Sequence, residues 1–415
     1  MNWDHLRSVI HVSGGVILGQ LIAIFGFLLL TWVYRPPEFG IYASWLAIVT
    51  IGSVVSTGAL ETSLVRDSDG AGRRDSAACM VWTAFLGAAL FAALCGLGLV
   101  AFPHLLPGNR PATVATIGIA AFAMATILIF QSWAAAEGLF RPLTLLRIAQ
   151  SSLIMFLPLA LSVLGRSSDL LVWGHTTGLL MVIVAWLTVF PRTALAHPNL
   201  AGIARLMAER RRCFIYVLPA LFIGTLAGNL PQLAVNWRFG QEAAGHLALA
   251  QRVLGVPLSL VGVAVRDVFK RYASVAFRAR SECAREFWSS FAVLAVVAVG
   301  FGLAMLPLSE PLFVLVFGKA WRASGEMARW LLPMFIVGII ASPLTYLVYI
   351  VEREDFDLYW QSALLVVAAF TLTSFGGLAT TLKTFAASYA AMYVLYIVAC
   401  ARFAGGHNTR LRPAR

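Results

Sequence analysis

Residues 243–265 read AAGHLALAQRVLGVPLSLVGVAV, an apolar run that is long enough to cross a membrane as one helix. Its single charge is Arg252, nine residues from the start of the run. At about 1.5 Å of rise per residue, Arg252 lies roughly 13 Å deep, near the middle of a hydrocarbon layer about 30 Å thick. A charge at that depth must face a protein interior or a water-filled cavity. We therefore expect an internal path for an anionic group.

The rest of the 415-residue chain has the same composition, with 60% hydrophobic and 12% charged residues. A soluble domain carries about 25% charged residues. The fold class predicted is therefore an all-α integral membrane protein, with about twelve transmembrane helices. Arg252 is predicted to be the only charge well inside a span. The predicted spans are 9–34, 41–60, 78–102, 113–136, 148–165, 170–190, 213–237, 243–265, 287–309, 330–351, 358–382 and 384–401.

The Lys and Arg residues are concentrated in alternate loops, above all in 191–212 and 266–286. Loops on the cytoplasmic side carry such an excess, so this pattern predicts that both termini are cytoplasmic. The net charge of +12 then reflects topology and gives no reason to expect a nucleic-acid partner. The five cysteines are isolated and form no pair with metal-ligand spacing.

Loop 191–212 divides the chain near its middle, which predicts two six-helix bundles, 1–190 and 213–415, joined by a cytoplasmic linker with an amphipathic helix. A short repeat supports this division. Glu38-Phe39-Gly40 follows the first span and Glu242-Ala243-Ala244-Gly245 follows the seventh, which places Gly40 and Gly245 205 residues apart. Two bundles of one orientation are typical of transporters that move around a central cavity.

Small residues share the helix face that carries Arg252, namely Gly245, Ala248, Gly255 and Ser259. They would leave room beside the guanidinium group, as an arginine that lines a cavity or binds substrate requires. The alternative is a structural arginine bonded to backbone carbonyls or to amide side chains of a neighbouring helix. Gln251 and Gln20 are further polar candidates for substrate contact.

A polar stripe marks the seventh span, where Thr225, Asn229, Gln232 and Asn236 follow at i, i+4, i+7 and i+11. Amide side chains carry both donors and an acceptor, which suits sugar hydroxyl groups. Hydrogen bonding between helices, worth about 1 kcal/mol in membranes, explains the stripe equally well.

Several signatures are absent from the sequence. It contains no Walker A motif, no Asp-rich motif of the glycosyltransferase kind and no metal-ligand cluster, and no Asp or Glu lies deep in a predicted span. We therefore expect neither an enzyme nor a bound metal or cofactor.

Several short motifs together resemble the O-antigen type of polysaccharide flippase, in the multidrug/oligosaccharidyl-lipid/polysaccharide exporter superfamily. They are Pro36-Pro37-Glu38-Phe39-Gly40-Ile41-Tyr42-Ala43, Gly58-Ala59-Leu60 with Arg66 beyond it, Gly245-His246-Leu247-Ala248-Leu249-Ala250-Gln251-Arg252-Val253 and Phe317-Gly318-Lys319-Ala320-Trp321.

The resemblance implies a multi-pass protein of the cell inner membrane. Such a protein moves an undecaprenyl-diphosphate-linked oligosaccharide from the cytoplasmic to the periplasmic leaflet, for O-antigen and lipopolysaccharide biosynthesis. Its partners would be that lipid-linked glycan, membrane lipids and other polysaccharide-assembly proteins. Arg252 would then attract the diphosphate, and Asn229, Gln232 and Asn236 would contact the glycan. Arg35 and Arg66, near opposite membrane faces, would serve in capture or release.

Three alternatives remain open at this point. A multidrug antiporter of related fold would bind organic cations, for which a buried arginine has the wrong sign. A membrane polymerase or ligase acting on lipid-linked glycans would need catalytic groups in the outer loops, which are short and offer no convincing cluster. A structural scaffold would leave Arg252 and the polar stripe without a purpose.

Overall fold

The computed structural model describes residues 19–20, 22–67, 71–101, 111–189, 200–211 and 213–406. The described residues form helices joined by short turns, which confirms the all-α class. Ten helices are long and apolar enough to span a membrane, and Ile22–Val33 is a shorter apolar helix among the same residues. The predicted count of twelve spans stays a prediction.

The helices follow one another in chain order, and we number them as they occur. They are α1 (Ile22–Val33), α2 (Pro36–Thr57), α3 (Ala71–Ala101), α4 (Pro111–Ala136), α5 (Phe140–Leu161), α6 (Ser168–Val189), α7 (Leu200–Glu209), α8 (Leu218–Arg280), α9 (Ala284–Phe317), α10 (Arg322–Leu344), α11 (Leu347–Ile350), α12 (Glu354–Ser374) and α13 (Leu378–Ala404). Shorter turns are the 3₁₀ helices Leu60–Arg66 and Lys319–Trp321 and the π-helical turn Cys213–Val217.

The chain divides into two compact units, Met1–Gly245 and His246–Arg415. In the first, α2 packs against α3 and α4, and α5 packs against α6. Aromatic side chains of α2 form much of its interior: the Trp45 indole donates to the Thr116 hydroxyl (2.9 Å), and the Tyr42 hydroxyl shares a hydrogen bond with His175 Nδ1 (2.8 Å). All four side chains are buried.

In the second unit, α10 packs against α9 and α13, and α12 packs against α13. Its core includes Phe269, Phe287, Leu344 and Tyr396. His246 shares a 2.9 Å hydrogen bond with the hydroxyl of Ser324. Buried aromatic and aliphatic side chains therefore hold each unit together, with a few satisfied polar pairs inside.

Helix α2 shows how sequence sets the ends of a helix. Pro36 and Pro37 occupy its first turn, where the missing N–H costs nothing and the fixed φ suits a helix. Gly58 ends it in the left-handed conformation, with φ of 59°, which a glycine adopts without a steric penalty. The helix buries Phe39, Tyr42 and Trp45.

Helix α8, Leu218–Arg280, consists of two helical arms that meet at Gly240, where the backbone is not helical, with φ of 87° and ψ of 176°. The spans predicted at 213–237 and 243–265 lie on either side of this turn. The first residues of 213–237 form the π-helical turn Cys213–Val217. The segment 266–280, part of the predicted basic loop 266–286, continues the second helical arm.

Two basic residues that the sequence placed between spans belong to candidate spanning helices. Helix α5 begins at Phe140, eight residues before the predicted start, and therefore includes Arg147. Helix α13 begins at Leu378 after the Gly376-Gly377 turn and therefore includes Lys383. Apolar windows excluded both charges because they were drawn to stop at a charge, whereas helices end where capping and turn residues end them.

The glycines paired by the sequence repeat, Gly40 and Gly245, meet in the first unit. A Cβ added to Gly40 would lie 1.8 Å from the carbonyl oxygen of Gln241, and one added to Gly245 would lie 1.8 Å from that of Pro36. Gln241 and Gly245 are each 205 positions beyond Pro36 and Gly40, so the two contacts are reciprocal. We call this backbone contact the glycine crossing.

Candidate functional site

Arg252 is exposed in the part of α8 that belongs to the second unit. Gly255 and Ser259 lie on the same helix face, and a Cβ at Gly255 would meet nothing within 4 Å. Gly245, which the sequence also assigns to this open face, is instead filled by the backbone of α2 at the glycine crossing. Space on this helix face therefore lies toward Gly255. Gln251, its neighbour in sequence, is half-buried.

The polar stripe of α8 lies in the first unit, and its members differ in what they bond. The Asn229 amide nitrogen donates to the Thr225 carbonyl oxygen in its own helix (2.8 Å). Gln232 is buried, and its amide nitrogen donates to the Ala244 carbonyl oxygen (3.1 Å) and the Ser44 hydroxyl (3.4 Å). Gln232 thus links the two arms of α8 across the Gly240 kink and ties them to α2.

Two amide oxygens of the stripe are buried and receive no donor from any residue that the structure describes. They are Oε1 of Gln232 and Oδ1 of Asn236, one helical turn apart on the same face. Buried polar atoms are nearly always hydrogen-bonded. These two acceptors are therefore positions where a hydroxyl group or a water molecule would bind favourably.

The other predicted site residues are separate from Arg252 in sequence and belong to the first unit. Gln20 lies in the short helical piece at residues 19–20 and is half-buried. Arg35 is exposed at the start of α2, where its backbone N–H donates to the carboxylate of Glu38. Arg66 ends the 3₁₀ helix Leu60–Arg66, and its side chain lies outside the described part of the chain.

A buried arginine that sequence reasoning treated only as a topology signal is Arg73. Its guanidinium group donates to the carbonyl oxygens of Leu64, Asp67 and Ala136 at 3.0–3.1 Å and to the carboxylate of Glu137 at 3.0 Å. It thereby joins the start of α3 to the 3₁₀ helix and to the end of α4. No spacing in the sequence distinguishes Arg73 from the exposed Arg74 beside it.

Arg210 joins the predicted linker 191–212 to the 3₁₀ helix that Arg73 also contacts. It follows α7 and donates to the hydroxyl of Ser63 and the carboxylate of Asp67. Helix α7 buries Ile203 and Leu206 and exposes Arg205. We refer to Ser63, Asp67, Arg73, Glu137 and Arg210 as the arginine cluster.

Glu61 lies in the 3₁₀ helix beside the arginine cluster and is buried, and its Oε2 receives no donor from a described residue. Burial raises the pKa of this carboxyl group above its ordinary value of 4.5, against hydrogen bonds from its own backbone and from Thr57. The folded state therefore binds this proton more tightly than the unfolded chain does.

A group with a raised folded-state pKa makes folding less favourable as pH rises above its unfolded value. We expect the unfolding temperature of the purified protein to fall between pH 5 and pH 8, and a Glu61→Gln variant to lose part of that fall because its amide does not ionise. Thermal unfolding in detergent at both pH values measures this. An equal fall in unfolding temperature for the wild type and Glu61→Gln would contradict this prediction.

The described residues contain no group of three or more His, Cys, Asp or Glu side chains that could hold a metal ion. The site candidates are instead arginines and amides, groups that bind phosphate and hydroxyl oxygens.

The sequence model of a family described as "Polysaccharide biosynthesis protein" matches residues 29–326. The chain belongs to the polysaccharide biosynthesis protein family. The matched range runs from α1 into α10 and includes Arg35, Arg252 and the polar stripe.

This family member is similar to the teichuronic acid biosynthesis protein TuaB of Bacillus subtilis (strain 168), with 22% identity over 177 residues. The aligned part covers 42% of this chain and 36% of that relative, so the likeness spans about a third of TuaB.

Solved structures of transporters share the fold of this protein. A lipid II flippase MurJ structure in an inward closed conformation matches with a TM-score of 0.76 and 11% identity, covering 95% of this chain and 87% of the other. An inward-facing multidrug resistance MATE family transporter of the MOP superfamily matches with a TM-score of 0.61 and 10% identity, covering 95% and 99%. These likenesses establish the flippase and exporter fold and confirm the resemblance noted from the sequence.

Proposed function

We propose that this family member flips a lipid-linked glycan, an undecaprenyl-diphosphate-linked oligosaccharide, from the cytoplasmic to the periplasmic leaflet by alternating access. In this proposal it is a transporter of the inner membrane with both termini in the cytoplasm. Bundles 1–190 and 213–415 move around a central cavity, and 191–212 joins them. O-antigen or a related surface polysaccharide would be the product of the pathway.

The observation that carries the proposal is the MurJ-like fold over 95% of a chain whose sequence family is polysaccharide biosynthesis. A polysaccharide pathway built on a lipid carrier needs its intermediates on the outer face of the membrane. A membrane protein of that family with a flippase fold is suited to this step. The likeness to the MATE family transporter supports the same architecture. The substrate is inferred from the chemistry of the site.

That chemistry favours an anionic, hydroxyl-rich substrate. The guanidinium group of Arg252 would bind the diphosphate, because its planar donors match phosphate oxygens. Asn229, Gln232 and Asn236 would contact the glycan, with the buried acceptors of the last two becoming accessible as α8 moves during transport. Gln251 and Gln20 would add polar contacts, and Arg35 and Arg66 would act near the entry and exit.

The Arg252→Ala variant tests the proposal. Loss of one charge-assisted contact of about 1.5–3 kcal/mol corresponds to roughly a 10- to 100-fold decrease in substrate handling. We expect the host strain to lose most of its surface polysaccharide and to accumulate the lipid-linked intermediate in the cytoplasmic leaflet. Arg252→Lys should retain part of the activity, because the charge remains but the bidentate geometry is lost.

Arg271→Ala is the matched control, because Arg271 is exposed on the same helix nineteen residues later and takes no part in the proposed site. It should export at the wild-type rate. Normal export by an Arg252→Ala protein present at wild-type levels in the membrane would rule out the role assigned to Arg252. Resistance to cationic drugs without any change in glycan export would instead favour the multidrug antiporter.

A further inference from the structure

Arg147 lies on α5, one of the helices long and apolar enough to span a membrane. It is the eighth residue of Phe140–Leu161, about 10 Å along the helix from its first residue at about 1.5 Å per residue. It is half-buried, and it forms no hydrogen bond or ion pair with any residue in the described part of the chain. Arginine at such a depth is retained where it faces the bundle interior or a water-filled space.

The opposite face of α5 shows which way Arg147 is turned. Pro142, Leu145 and Ala149 of α5, with Ala185 and Val189 of α6, line an open apolar groove of about 150 Å³ on the outside of the first unit. These α5 positions share one face of the helix, and position 147 lies on the other. The groove suits acyl chains, so the side of α5 that carries Arg147 is turned away from them.

The Arg147 face is polar and is packed by neighbouring helices of the same unit. Gln150 and Ser151 follow Arg147 at i+3 and i+4. The Gln131 amide of α4 donates to Oε1 of Gln150 (2.8 Å). A Cβ on Gly19 would lie 3.1 Å from the Ser151 hydroxyl and 3.7 Å from the Arg147 carbonyl oxygen. This contact places Gln20 next to the same polar group.

We infer that Arg147, with Gln131, Gln150 and Ser151, forms a second anion-binding site in the first unit, which takes the diphosphate of a prenyl-linked substrate. Guanidinium donors bind phosphate oxygens as pairs, and the amide and hydroxyl groups beside them supply further donors. The inference rests on the proposed function and deepens it: the substrate headgroup has a site on α5 as well as the one assigned to Arg252.

Binding to the purified full-length protein tests this inference, with farnesyl diphosphate as the probe and farnesol as the uncharged comparison. We expect Arg147→Gln to weaken farnesyl diphosphate binding at least 10-fold, Arg147→Lys to weaken it less, and farnesol binding to stay unchanged. Arg141→Gln is the matched control, because Arg141 is exposed in the first turn of the same helix. It should bind as the wild type does.

Two further probes identify the source of the anion. Inorganic pyrophosphate that competes with farnesyl diphosphate in the wild type, but not in Arg147→Gln, supports a site for the diphosphate itself. Displacement by phosphatidylglycerol in nanodiscs, without competition by pyrophosphate, would assign the site to a membrane phospholipid and overturn the inference. Thermal unfolding of each variant verifies that it is folded.

The outcomes separate this inference from the proposed function. Equal affinity of wild type and Arg147→Gln for farnesyl diphosphate, in a protein that prefers it over farnesol, would overturn the α5 site alone. If the wild-type protein does not bind farnesyl diphosphate more tightly than farnesol, that result counts against the proposed function. Equal losses in Arg147→Gln and Arg141→Gln would mean general charge attraction and would also overturn the site.

Discussion

Alanine at Gly40 or at Gly245 is expected to destabilise the protein by about 3 kcal/mol or more and to lower its level in the membrane. The added Cβ would lie 1.8 Å from a backbone carbonyl oxygen at either position, well inside van der Waals contact. A side chain would yield by changing rotamer, but here the helix backbones themselves must separate. Overpacking of this kind typically costs 1–3 kcal/mol, and more where nothing can adjust.

The glycine crossing has matched controls within α8. Gly224 and Gly255 are helical, and a Cβ on either meets nothing within 4 Å. Gly224→Ala and Gly255→Ala should therefore be neutral or raise stability by about 0.5–1 kcal/mol, since alanine has less backbone freedom to lose than glycine. Thermal unfolding in detergent measures all four variants. Gly40→Ala with the same unfolding temperature as Gly255→Ala would refute the crossing as described.

The Arg73→Met substitution is expected to lower the free energy of unfolding by about 3–5 kcal/mol. It is the second of the two largest effects that we expect. The variant would remove the arginine partner of the Glu137 carboxylate and one donor from each of three carbonyl oxygens. Removal of one member of a largely buried pair costs more than the pair contributes, because the remaining carboxylate stays partly desolvated after it has lost the guanidinium group. Unfolding temperature and detergent-extracted yield measure the loss.

Arg74→Met serves as the control, because Arg74 is the next residue of α3 and is exposed. Surface substitutions away from special features usually change stability by less than about 0.5 kcal/mol. A double variant, Arg73→Met with Glu137→Gln, should recover part of the stability because it removes the stranded charge. Equal stability of Arg73→Met and Arg74→Met would contradict the arginine cluster.

The helical membrane class and the repeat were predictable from sequence because both depend on simple spacing. An apolar run of about 20 residues has few alternatives to a spanning helix. Gly40 and Gly245 were paired by their 205-residue separation alone, and the structure gives that pairing a physical cause in the glycine crossing. The sequence could not reveal that the pair is a direct contact, since a repeat predicts equivalence and not proximity.

Helix ends and buried charges were predicted less well. The start of α5 was placed eight residues too late, because the predicted span stopped at Arg147, while the helix begins at Phe140. Arg147 and Arg73 were counted as topology signals, because composition gives the same weight to a solvated arginine and to one held by helices far away in sequence. Their surroundings depend on tertiary packing, which no local pattern encodes.

The glycine crossing also has a consequence for the order in which the protein is made. The partner of Gly40 in this contact is the segment from Gln241 to Gly245, so this face of α2 lacks that partner until those residues have been synthesised. At about 5–20 residues per second, the 205 positions between the two glycines correspond to roughly 10–40 s of translation. During that time α2 is already in the membrane with a bare backbone surface. A fragment that stops at residue 212 would keep that surface permanently, which makes it a poor substitute for an independently folding half.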